Sequence, residues 1–93
     1  MSQVTFEEFA AARRAKGFDE IVERKWAPKV ALDSHTHPFA VEALVVQGEM
    51  WLTVGNKVRH LTRGERFALD RDVPHAERYG PEGATYWAAR RNR

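Results

Sequence analysis

The 93-residue chain contains no cysteine. That absence excludes disulfides, a thiolate nucleophile and any zinc site built on sulfur. It agrees with a reducing, cytoplasmic setting, which is the expected location. No apolar run approaches the roughly 18 residues of a membrane span. Met1 to Glu8 carry acids and lack an apolar stretch, so neither a secretory signal nor a membrane partner is expected. A large charge of one sign is missing too, the net charge being only +2. Much of the basic excess falls on Arg90, Arg91 and Arg93, which read as a solvated end, with no nucleic-acid partner expected. There is no repeat, low-complexity segment or linker. What remains is one domain, large enough to bury about two-thirds of its unfolded surface.

The first 18 residues read as a short helix packed on the rest of the domain. Thr5-Phe6-Glu7-Glu8 has capping-box spacing, with a hydroxyl at the N-cap and a carboxylate three residues on. Phe6, Phe9 and Ala10 make an apolar face, and Arg13, Arg14 and Lys16 suit the negative end of the helix dipole. Gly17 is placed to stop the helix. From residue 19 to 93 the pattern becomes short strands and close turns. Strands are expected at 20–26, 30–37, 42–47, 50–54, 57–61, 66–69, 76–79 and 85–90. Gly48-Glu49 and Gly80-Pro81-Glu82-Gly83 separate neighbouring pairs, and Gly55-Asn56 suits a type II′ hairpin. Eight short strands argue for an all-β barrel or sandwich.

His35-Thr36-His37 carries the chemistry. Two histidines at i and i+2 share a face if the segment is extended, and Pro38 favours extended geometry at His37. His75, placed on a neighbouring strand, would close a set of three imidazoles around a metal. A borderline divalent ion is well served by imidazoles and a carboxylate. Glu42 is the nearest downstream carboxylate to the pair. His60, on the hairpin's return strand, lacks comparable support and reads as an exposed strand residue.

These residues resemble the cupins, small barrels of the RmlC-like, double-stranded β-helix (jelly-roll) type. Their first motif is G-x5-H-x-H-x3 or 4-E-x6-G, and their second is G-x5-P-x-G-x2-H-x3-N. His35, His37, Glu42 and Gly48 align with the first, and Gly64 and His75 with the second. Tyr79 stands where the asparagine would be. The resemblance covers Val30 to Tyr79 and implies a small cupin-type barrel with one N-terminal helix. Three departures stand out. Lys29 occupies a glycine position, and Asp70 and Asp72 replace proline and glycine at turn positions where Asp is acceptable. Only five residues separate Glu42 from Gly48, so Val41 holds the family's glutamate position counted back from Gly48. A one-residue shift on a strand swaps faces. Glu42 therefore either reaches the metal through an altered strand entry or points away and leaves a three-histidine site.

The resemblance implies one divalent transition metal per chain: Fe, Mn, Ni, Co, Cu or Zn. The expected ligands are His35, His37 and His75, with Glu42 a candidate fourth, and no general base is identified. The implied function is metal-dependent chemistry of dioxygenase, isomerase or lyase type on a small organic molecule bound in the barrel. Alternatives are a non-catalytic small-molecule-binding or sensory barrel, or a metal that only reinforces the fold. A homodimer is expected. Trp51 is a candidate for its interface or for packing under the N-terminal helix. Tyr86 and Trp87 fall on opposite faces of the last strand, one lining the barrel and one outside.

Overall fold

Thr5 begins the first helix as its spacing predicts. In the computed structural model, which describes residues 4–92, α1 spans Phe6–Ala15. The Glu8 amide donates to Thr5 Oγ1 and the Thr5 amide to Glu8 Oε1, at 3.1 and 2.9 Å. Gly17, at φ 93°, ends the helix. Its amide donates to the Arg14 carbonyl and that of Phe18 to the Arg13 carbonyl, a Schellman closure.

Six strands follow among the described residues: β1 (Glu20–Trp26), β2 (Ala31–His35), β3 (Ala40–Val54), β4 (Lys57–Thr62), β5 (Arg66–Leu69) and β6 (His75–Arg91). Two expected breaks are absent. The strands expected at 42–47 and 50–54 are one continuous β3, and those at 76–79 and 85–90 are one continuous β6. The reason is pairing. β3 and β6 run antiparallel from Ala40↔Arg91 to Thr53↔Ala76, and the glycine segments are absorbed as bulges within that ladder. Gly48 and Gly83, both at positive φ, let the bent strands touch. A Cβ on Gly48 would collide with the Gly83 carbonyl, and one on Gly83 with the Trp26 carbonyl. Gly55-Asn56 does form the β3–β4 turn, with positive φ at Gly55 and not at Asn56, the II′ pattern.

The long strands change partners at their bends. The first part of β3 pairs with β5 and the last part of β6 with β1. The last part of β3 pairs with β4 and the first part of β6 with β2. Two β layers face each other as a result, and Val45, Met50, Leu52, Leu61 and Tyr79 are fully buried. The helix covers the outer side of one layer, where Phe9, Phe18, Leu44 and Ala89 are buried with Trp87 packed beside them. Phe6 meets Trp87 edge-to-face at 5.5 Å. The terminal arginines are correspondingly not a loose solvated end. Arg91 donates to the Lys16 carbonyl and lies over Phe18, whereas Arg90 lies over Phe39 and pairs with Glu20. Arg93 lies outside the described residues. No helix among the described residues is long and apolar enough to cross a membrane.

Candidate metal centre

β2 and β6 set the centre. Their register places His35 opposite His75. β2 ends at His35, two residues before the expected boundary, and His37 follows in an irregular segment whose carbonyl accepts from the Asp72 amide at 2.9 Å. The three imidazoles nevertheless converge. Ring centroids are 4.4 Å apart for His35–His75, 4.9 Å for His35–His37 and 5.0 Å for His37–His75. His37 also stacks on Phe39 at 4.9 Å.

The fourth member is Glu77. One ligand atom from each of His35, His37, His75 and Glu77 lies within 4.8 Å of the others. Glu77 Oε2 stands 3.3 Å from His35 Nε2 and 3.5 Å from His75 Nε2. Its Oε1 accepts a hydrogen bond from the Tyr79 hydroxyl. Glu77 is buried, as is His75. The signal for it was present in the sequence, because His75-Ala76-Glu77 repeats the i, i+2 relationship that singled out His35 and His37.

Glu42 is elsewhere, and the structure gives the reason. On β3, Val41, Ala43 and Val45 face the barrel interior, so Glu42 and Leu44 face the helix. The Glu42 carboxylate is paired with Arg13 of α1. The outward alternative, not the altered strand entry, is the geometry found. The resulting group is three histidines and a carboxylate from β6, rather than three histidines alone.

The hydrogen bonds define what the group can hold. His35 Nδ1 lies 2.7 Å from the Asp33 carbonyl, and His75 Nδ1 lies 2.9 Å from the Val73 carbonyl. A carbonyl only accepts, so both Nδ1 atoms carry protons, and each Nε2 is the ring atom left to bind a metal. Both Nε2 atoms face Glu77 Oε2. Burial and the proximity of His75 and His35 lower the His37 pKa, which favours its neutral, metal-binding form. The four groups suit a single cation. Ligand atoms about 2.0–2.2 Å from an ion lie at most about 4.4 Å apart, so the observed spacing fits one ion with a few tenths of an ångström of adjustment.

The group opens onto a cavity of about 90 Å³. Leu32, Phe39, Val41, Phe67 and Leu69 give it apolar walls. Tyr86 lines it, whereas Trp87 lies under the helix, which settles the two faces of the last strand. Burial raises the pKa of both Tyr79 and Tyr86. Trp26, stacked on Tyr79 at 5.1 Å, also lines the cavity.

No protein-family model and no curated protein matches the chain in sequence. Solved structures do match in shape. An RmlC-like cupin from Shewanella frigidimarina superposes with TM-score 0.67 at 22% identity, over 78% of this chain and 66% of the other. A deletion mutant of oxalate decarboxylase OxdC from Bacillus subtilis gives 0.70 at 18%, over 76% and 20%. The polyketide cyclase RemF from Streptomyces resistomycificus gives 0.67 at 22%, over 86% and 60%. The fold is that of the cupins. The chain thus spans at most 66% of the length of these three proteins. In this barrel of the cupin fold the remaining candidates fall outside the centre. His60 is exposed, as expected, with Nε2 2.8 Å from Glu49 Oε2. Trp51 is not under the helix, a place taken by Trp87. It is sandwiched between the His60 ring at 4.6 Å and the Arg78 guanidinium at 4.7 Å.

Proposed function

We propose that this cupin is a metal-dependent enzyme acting on a small organic molecule, with one divalent transition metal held by His35, His37, His75 and Glu77. The observation that carries the reading is the convergence of the four groups, with one ligand atom of each within 4.8 Å of the others. Three imidazoles surround a buried carboxylate, and the Val73 and Asp33 carbonyls hold the Nδ1 atoms of His75 and His35 so that their Nε2 atoms point inward. A bound ion would polarise a substrate oxygen or activate a water. The chain's own residues supply the rest. Leu32, Phe67 and Leu69 exclude bulk water from the cavity, and Tyr79 holds Glu77 by its Oε1 so that Oε2 stays directed at the histidines. The cavity beside the group favours an open centre over a closed structural one, since catalysis needs coordination positions that exchange. Solved proteins of the same fold include ones named as a decarboxylase and a cyclase, which supports chemistry on small organic molecules.

The test is elemental analysis of untagged protein purified without chelator, alongside the His35→Ala/His37→Ala double variant. Near one equivalent of iron, manganese, nickel, cobalt, copper or zinc is expected in the wild type and none in the variant. Protein that takes up no metal, even on titration, refutes the reading.

A further inference from the structure

Besides the metal group, two arginines line the cavity. On β6, Tyr86, Ala88 and Arg90 follow one another at i, i+2 and i+4 along the cavity, and on β1 Arg24 and Trp26 do the same. Both guanidiniums are seated on aromatic rings of the cavity wall: Arg24 lies 4.9 Å from the Trp26 ring centre and Arg90 lies 4.8 Å from that of Phe39. Stacking of this kind fixes the planar fork while leaving its N–H edge free for an oxygen acid. An inward charge on an edge strand can serve to block edge-to-edge pairing. That account does not cover Arg90, because β6 is flanked at this position by both β1 (Glu20↔Arg90) and β3 (Val41↔Arg90). The charge balance points the same way. A divalent ion and two guanidiniums outnumber the Glu77 carboxylate and that of Glu20, which stands 3.6 Å from Arg90. The cavity therefore attracts an anion, and its volume of about 90 Å³ suits a small one.

We infer that the ligand of this cavity is a small carboxylate, whose charged end is met by Arg90 and Arg24 while a neighbouring oxygen faces the three histidines and Glu77. The inference rests on the metal reading above and adds the substrate class to it. The arginines serve as selectors: a neutral molecule with the same metal-binding oxygens offers the two guanidiniums no negative charge.

Cobalt-loaded protein tests this, with the visible absorption of bound cobalt as the readout. Glycolate and its neutral relative ethylene glycol are titrated into the wild type, Arg24→Gln and Arg90→Gln. Cobalt stoichiometry is measured on each. The expected result is unchanged cobalt binding, glycolate preferred in the wild type, and a loss of about tenfold or more in glycolate affinity for each variant. Should Arg90→Gln lose cobalt through misfolding, Arg24→Gln and Arg90→Lys decide: the first must weaken glycolate and the second must retain most of its affinity. Wild-type protein that binds no cobalt overturns the metal reading and this inference with it. Cobalt bound one-to-one, with glycolate affinity indifferent to the arginines or equalled by ethylene glycol, overturns this inference alone.

Discussion

Glu77 Oε2 and His35 Nε2 stand 3.3 Å apart, with the other nitrogen of the ring committed to the Asp33 carbonyl. A metal ion between them would take a ligand atom from each. Glu77→Gln replaces a charged ligand with a weak neutral one. We expect metal affinity to fall by about 10- to 100-fold, the scale on which altered metal-site partners act. Competition against a colorimetric chelator measures it, and an unchanged affinity would leave a site of three histidines.

Glu42→Gln is the matching control. Metal affinity should not change, since this carboxylate faces the helix. Stability should fall instead, because Arg13 is largely buried and loses its partner. The loss lies between the exposed and buried limits for ion pairs, about 1–2 kcal/mol. Thermal unfolding of metal-free protein reads it. Lower metal affinity at full stability would return Glu42 to the centre.

Lys29 and Asp72 stand at two glycine positions of the motifs, and both keep the backbone a glycine would have, with φ 63° each. Left-handed geometry costs an L-residue about 1–2 kcal/mol, less for Asp. Lys29→Gly should therefore stabilise the protein by about 0.5–1 kcal/mol after the glycine's added chain entropy is subtracted. Asp72→Gly should gain less. Denaturant unfolding of both variants checks the order, and a destabilised Lys29→Gly contradicts it.

Gly48→Ala should be severe. The new Cβ meets the Gly83 carbonyl, which belongs to backbone locked in the facing strand. Together with its positive φ, the collision should cost more than about 3 kcal/mol. Gly64→Ala, with positive φ but open space around its Cβ, should cost only about 1–2 kcal/mol. Equal losses in the two variants would remove the steric argument.

The chain has two tyrosines, Tyr79 and Tyr86, and burial raises the pKa of both above the ordinary 10.0. A raised folded pKa adds stability that is fully present below the unfolded value and lost as pH rises from there through the folded one. Folded protein should thus show little tyrosinate absorbance at 295 nm near pH 10.5. The signal should appear together with alkaline unfolding. Ordinary titration in the folded state would contradict the burial of both rings.

Much of this was legible in the sequence. The capping box, Gly17, the Gly55 hairpin, β1 and β5 came from local chemistry and kept their bounds. The histidines came from spacing. The unbroken β3 and β6 were not legible, because whether a glycine ends a strand or bulges within it depends on the partner opposite. Glu42 and Glu77 divide on the same ground. Nearness in sequence favoured Glu42, whereas strand parity sends it toward Arg13 and brings Glu77 inward beside His75. Arg90 and Arg91 looked like a tail because their aromatic seats, Phe39 and Phe18, lie 51 and 73 residues away.

The ladder that joins Ala40 to Arg91 also governs when the centre can exist. His37 and His75 meet only after the chain has closed a loop of several dozen residues, a slow search compared with forming the α1 turn or the Gly55 hairpin. Metal has no assembled site during that search and cannot speed it. Its effect falls on escape from the finished barrel, so a loaded molecule should fold at the rate of an empty one and come apart far more slowly.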